Sequence, residues 1–432
     1  MPRRLLVLGL VSLTAAVRTL GAQSPRDAIN HLFTFGVCGQ PLCLDLQPDS
    51  ISGVNHGTHF IPALETSGGT VISFLTSAIG FSVSNTPITS SSGGTTFRFE
   101  GGVPVQTSTS AGPILGERAQ TLGRGRWFAG VDFSAVRFER LRGVGLNDIT
   151  FNFRHLNRPP LDSVGFPDFE RDFIQMNLRL AVNLMVASFT ASYGLTDGID
   201  VGVAVPFVRT SVSGQSTAQI FLVGGDTLHR FGGTGTNPVL TSSAQAAGVA
   251  SGLGDIEGHV KIKVVQGERV GIALLASARF PTGNENDLLG SGSFSARGLG
   301  VVSARLGTFN PHGAVGYTLR NGSLQTNAFE LDGGFDNLLA PWATMAVDVL
   351  GSWQLGASKI DVPPPAPYNY PFPYTLQVTN IPSRRDNFVS ASIGFKFRTK
   401  RGIHIVTNAL VPLREAGLQP RVTWTGGLEY TF

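Results

Sequence analysis

PRVTWTGGLEYTF, residues 420–432, changes character at every step along the chain. Val422, Trp424, Gly426, Leu428, Tyr430 and Phe432 fall on one side, and Arg421, Thr423, Thr425, Gly427, Glu429 and Thr431 on the other. A helix would scatter both sets around its axis, whereas a strand keeps them apart. The apolar side turns aromatic toward its end. In a soluble sandwich such a face needs a second sheet to cover it. In a membrane barrel lipid covers it, and the last strand pairs with the first.

The same alternation recurs upstream. RWFAGVDFSAVRFE (126–139) sets Trp127, Ala129, Val131, Phe133 and Ala135 against Gly130, Asp132 and Ser134. Residues 172–193 alternate Ile174, Met176, Leu178, Leu180, Val182 and Leu184 with Gln175, Asn177, Arg179 and Asn183. After the turn LTDG, Ile199, Val201, Val203, Val205 and Phe207 face outward, with Asp200, Gly202 and Ala204 inward. In LGDIEGHVKIKVV, Asp255, Glu257, His259, Lys261 and Lys263 share one face. Such a row cannot point at lipid or at a dry core, so it lines a watery interior, with Arg279 as a further lumen candidate.

Continued to the C-terminus, the reading gives an all-β, antiparallel transmembrane barrel of about 12 strands, with 14 as the alternative, over residues 126–432. Turns LTDG, QGE, GTFNP, LLAP and TKR are short, while connections 141–171, 223–251 and 356–386 are long. Short turns at one end and long loops at the other are the asymmetry of a bacterial outer-membrane barrel. The aromatic-x-Phe ending, Tyr430 and Phe432, looks like the signal such proteins present to the barrel-assembly machinery.

Residues 1–22, two arginines followed by an apolar run, read as a signal peptide cut after Ala22. Charged residues are only 14% of the chain and glycines number 54, a balance that suits alternate residues facing lipid. A net charge of +4, spread along the chain, indicates no nucleic-acid partner. Residues 23–125 lack the barrel pattern and read as a partly helical segment plugging the lumen. Within it TVISFLTSAIGF (70–81) places Val71, Phe74, Leu75, Ala78 and Ile79 at helical spacing, with a buried strand as the competing reading. TTFRFE and VPVQTSTS suit a hairpin. Cys38 and Cys43, in an exported chain, suit a small disulfide loop rather than a metal site.

Four segments resemble a family of outer-membrane proteins known as a putative meta-pathway of phenol degradation. That family is similar to the outer-membrane channels for long-chain fatty acids and aromatic hydrocarbons. The segments are GERAQTLGRGRW (116–127), ASYGLTDGIDVGVAVPFV (191–208), SGLGDIEGHVKIK (251–263) and RFPTGNENDLLGSGS (279–293). The resemblance covers residues 116–432 and implies a transporter barrel.

No nucleotide loop, HExxH pair or nucleophile elbow is present, so neither an enzyme nor a cofactor is expected. His259 and His404 read as lumen or wall histidines. Asn284, Glu285, Asn286 and Asp287 suit either a calcium loop or a solvated one. DVPPPAPYNYPFPYTLQV (361–378) gathers Tyr368, Tyr370, Phe372 and Tyr374 between stiffening prolines, either shielding the barrel mouth or receiving an apolar solute. The functional expectation is passive uptake of small hydrophobic or aromatic molecules through the bacterial outer membrane. The alternative is a barrel that transports nothing and works through its surface. Expected partners are outer-membrane lipid and lipopolysaccharide, the assembly machinery and a small hydrophobic solute.

Overall fold

The computed structural model describes residues 23–36, 42–45, 60, 69–84, 97–100, 103–106, 110–155, 172–223, 229–322, 326–358, 362, 364–368 and 373–432. The signal-peptide reading of residues 1–22 lies outside them. Twelve strands form the barrel: β1 Trp127–Leu141, β2 Phe173–Thr196, β3 Ile199–Phe221, β4 Ile256–Gln266, β5 Val270–Phe280, β6 Ser295–Ala304, β7 Phe309–Arg320, β8 Ala328–Ala340, β9 Ala343–Gln354, β10 Phe388–Arg398, β11 His404–Pro412 and β12 Thr423–Thr431. Each pairs antiparallel with its sequence neighbours, and β12 closes on β1 with Leu428 opposite Val131 and Tyr430 opposite Ala129. Closure leaves the wall without an edge through the barrel proper, so backbone polar groups are satisfied strand to strand.

Two strands outgrow the rest. β2 has 24 residues and β3 has 23, against 9 to 13 for β4–β12. Their far halves gain extra partners, Ile149–Arg154 on β2 and Thr241–Leu253 on β3. The result is a four-stranded sheet standing above one side of the barrel at the long-loop end.

Polarity inverts along these strands. In the lower half of β2, Met185 and Phe189 face out at 61% and 50% exposure, while Ser188, Thr190 and Ser192 are buried. In the upper half Ile174, Met176, Leu178, Leu180 and Val182 are buried instead, and Asn177, Arg179 and Asn183 face out. β3 inverts at the same level: Val203 and Phe207 face out below, whereas above it Val208, Val212 and Ile220 face in and Arg209, Ser213 and Thr217 face out. Alternation is unbroken, so every residue keeps its face; only the solvent on each side has changed. Below the crossing the exterior is apolar and the interior polar. Above it the arrangement is that of an ordinary soluble sheet.

The apolar inner face of the upper sheet needs covering, and the N-terminal residues cover it. Helix α1, Pro25–Leu32, starts on Ser24, whose hydroxyl accepts from the Asp27 N–H at 3.1 Å, with proline at the first helical position. Its buried residues Ile29 and Leu32 join Phe33, Leu42, Leu44 and Phe60 in one core with the upper halves of β2 and β3. Close approach is possible because Gly248 lacks a side chain; a Cβ there would collide with the Ser24 carbonyl.

Helix α2, Gly69–Ser84, settles the choice between helix and strand for 70–81 in favour of helix. Phe74, Leu75, Ala78 and Ile79 are buried in the same core, reaching Val136 and Phe138 of β1 and Leu418. The side chain of Val71 lies outside the described residues. Phe97–Glu100 and Val103–Gln106 pair as a hairpin.

Expecting the whole N-terminal segment inside the lumen therefore needs correcting. Its helices belong to the core above the membrane crossing, where the inner face is apolar. The polar lower lumen admits a different stretch, residues 110–124.

Candidate functional site

Between its two rims the outer wall carries no charged side chain on any of the twelve strands. Exposed aromatics mark both rims: Trp127, Trp342, Tyr430 and Phe432 at the short-turn end, Phe133, Phe207, Phe280 and Trp424 at the other. At about 3.3 Å per residue and a tilt near 40°, the run from Ile199 to Phe207 rises roughly 20 Å, close to the ~25 Å apolar band of outer-membrane barrels. Water could not cover such a band; lipid does. This is a bacterial outer-membrane β-barrel. By the loop asymmetry of such barrels, the short-turn end is periplasmic and the upper sheet extracellular.

Inside the barrel, residues 110–124 cross the periplasmic half and touch one strand after another. Ser110 donates to Asp336 of β8, and the Ala111 N–H donates to the Thr344 hydroxyl of β9 at 3.1 Å. The Leu115 N–H reaches Asp348 Oδ2 at 3.4 Å, Ala119 N–H reaches Ser303 Oγ of β6 at 3.1 Å, and Leu122 N–H reaches Asp200 Oδ2 of β3 at 2.8 Å. Lys261 of β4, fully buried, donates to Glu117 Oε2 at 2.8 Å and to the Arg118 carbonyl at 3.1 Å. Two further buried pairs line this level, Lys396 with Glu429 at 2.9 Å and His312 with Asp348 at 2.7 Å. A peptide lacking its own secondary structure must place its N–H groups somewhere, and the lumen carboxylates and hydroxyls accept them.

Above this segment lies a cavity of about 330 Å³. Leu115 and Glu117 contribute to its lining from the crossing segment, and Ser82 does so from α2. One wall, on β4–β8, carries Glu257, His259, Arg279, Arg297, Arg320, Glu330 and Asp332. The facing wall is mainly apolar, with Val136, Phe138, Phe388, Leu410, Pro412 and Leu418 interrupted by Ser390, Gln419 and Thr423. Charges on the polar wall are paired: Arg279 with Glu257 at 2.6 Å, and Arg297 with Glu330 at 3.0 Å and Asp332 at 3.6 Å. The volume is at the low end of small-molecule sites, about 300–1,000 Å³.

The mouth is organised by Arg142, 1% exposed and held at φ 50° just after β1. Its guanidinium donates to both oxygens of Asp386 at 2.9 and 2.8 Å and to the Pro382 carbonyl at 3.2 Å, and it stands 5.1 Å from the centre of the Phe74 ring. One side chain thereby ties α2 to the long connection before β10.

The row read from LGDIEGHVKIKVV divides into several jobs. Glu257 and His259 line the cavity, Lys261 holds the crossing segment, and Lys263 donates to the Asp197 carbonyl at the periplasmic turn. Asp255 falls in the break before β4, where it accepts from Gly283 N–H at 3.1 Å and from Ser291 N–H at 2.8 Å, pinning the 281–293 loop. In that loop Asn284 donates to Asp287 and Arg26 donates to Asn286, both at 2.7 Å. Among the described residues no group of three His, Cys, Asp or Glu is placed to hold a metal ion.

Tyr368 and Tyr374 face each other across a small hairpin, while Tyr370 and Phe372 lie outside the described residues. So do Cys38 and the side chain of Cys43. Sequence reasoning missed Arg142, Arg297, Arg320, Glu330 and Asp332. Alternation in SARGLGVVSARL and AFELDGG does put Arg297, Glu330 and Asp332 on inward positions, and that signal could have found them.

No family model matches the chain, and no curated protein matches it. Among solved structures, an outer membrane channel from Pseudomonas putida F1 is 11% identical with a TM-score of 0.44, covering 73% of this chain and 98% of that one. A Pseudomonas aeruginosa FadL homologue is 9% identical at TM-score 0.32, covering 71% and 89%. A deletion mutant of the TodX monoaromatic hydrocarbon channel is 10% identical at 0.32, also covering 71% and 89%. With TM-scores below 0.5, these likenesses add nothing to the fold, which rests on the closed strand ladder itself.

Proposed function

We propose that this barrel is a passive channel admitting small, predominantly apolar molecules, aromatic ones among them, with residues 110–124 as its periplasmic gate. The cavity carries the reading. Its apolar wall suits a hydrocarbon body and its polar wall keeps water and any hydrogen-bonding substituent satisfied. An apolar cavity of about 150 Å³ suffices for benzene, so about 330 Å³ leaves room for a substituted ring. The resemblance of residues 116–432 to the phenol-degradation family points the same way.

A second reading, a barrel that transports nothing, is favoured by one observation: the crossing segment is held by a buried ion pair and hydrogen bonds to at least five strands. Swelling of liposomes carrying the purified protein separates the two. Aromatic solutes should enter faster than sugars of equal size. Rates equal to those of protein-free liposomes for every solute would favour the second reading.

A further inference from the structure

We propose that the outer wall, where β1–β3 leave the lipid, binds a phosphorylated glycolipid of the outer leaflet, with Arg137 and Arg209 as its anchors. The inference rests on the outer-membrane placement and is independent of the transport reading.

Both arginines point outward and are exposed, at the first positions above the apolar band. Register fixes their spacing. Arg137 of β1 lies opposite Asn183 of β2, which lies opposite Ser211 of β3. Arg209 is the outward residue next below Ser211, opposite Met185. The two stems therefore flank β2, two strands and two residues apart, about 12 Å between Cα atoms for ordinary strand spacing and rise.

Neither guanidinium has a hydrogen-bond or ion-pair partner among the described residues. Of the neighbouring outward cations, Arg421 holds Glu139 at 2.9 Å and Arg140 has Glu415 at 3.9 Å, while Arg179, four residues beyond Asn183 on β2, stands further from the apolar band. Phe133 and Phe207 lie beneath the pair and Met185 stands level with Arg209; the three are among the most exposed apolar residues of the chain, at 63%, 52% and 61%. An amphiphile that places acyl chains on that floor brings its headgroup level with the arginines. Guanidinium forks bind phosphate oxygens in pairs, and two forks that far apart suit a headgroup phosphorylated at two separated positions. Asn183 and Ser211 between them offer hydrogen bonds to sugar hydroxyls. A free phosphate would have no use for the floor, which commits the site to a lipid.

The test is native mass spectrometry of the full mature protein released from mild detergent. Its probes are a bisphosphorylated lipid A, the same glycolipid stripped of both phosphates, and inorganic phosphate as competitor. The intact protein should retain the bisphosphorylated lipid at least tenfold better than the stripped one. Arg137→Gln/Arg209→Gln should lose that preference tenfold or more while still shifting on gels when boiled, and Arg398→Gln at the periplasmic end should keep it. Equal retention of the two lipids by the intact protein overturns the proposal whether or not the variant folds. So does full retention by the folded double variant, or complete displacement by millimolar inorganic phosphate.

Discussion

Arginine placed at three positions of β3 probes the inversion of polarity. Val203 faces out near the middle of the apolar band, so Val203→Arg puts a charge in hydrocarbon at a cost of about 2–4 kcal/mol. Ser213 occupies the same face of the same strand three outward positions beyond Phe207, beside polar neighbours, and Ser213→Arg should stay within about 0.5 kcal/mol. Val212, one residue away but facing in, is 1% exposed in the upper core. Val212→Arg leaves a buried charge without a partner and should cost several kcal/mol or prevent assembly. Urea titration of protein refolded into vesicles, followed by the gel shift on boiling, measures all three. If Ser213→Arg costs as much as Val203→Arg, or Val212→Arg is tolerated, the membrane boundary has been misplaced and the upper sheet is not a soluble one.

Removing the Arg142 side chain strands Asp386 in the interior, so Arg142→Ala should cost about 3–5 kcal/mol and loosen the 355–387 connection, read as faster proteolysis there. Deleting residues 24–84 uncovers the apolar inner face of β2 and β3; the product should aggregate on refolding rather than give a more permeable barrel, which light scattering would report. Lys261→Met leaves Glu117 without its ammonium partner, and a loss of about 3 kcal/mol in docking would raise the undocked fraction of the crossing segment roughly 150-fold, seen as more frequent conductance steps.

The barrel itself was legible because lipid imposes one rule on every strand: outward residues are apolar. All twelve segments found by that rule are strands in the structure, from Trp127 to Thr431. Where the rule stops applying, so does its power. β3 was read only as far as Val208, because beyond it the polar residues move to the outward face and TSVSGQSTAQ no longer resembles a membrane strand. Residues 241–251 fall in the long connection 223–251 for the same reason: the inward positions of Thr241–Leu253 are only serine, alanine and glycine. Lumen candidates Glu257, His259 and Lys261 could be named from alternation. Their partners could not, since Glu117 and Lys261 are 144 residues apart and nothing local couples them. Arg142 was invisible for a related reason: its value comes from Asp386 and Phe74, each supplied by a different connection.

The most direct measurement of the channel account locks the crossing segment to the wall. The Ala119 N–H lies 3.1 Å from Ser303 Oγ, so Ala119→Cys/Ser303→Cys, in a background with Cys38 and Cys43 changed to serine, places two thiols side by side. Planar-bilayer conductance of this protein should be absent when oxidised and return as discrete steps on reduction. Identical conductance in the two states, or none in either, would contradict a gate at residues 110–124.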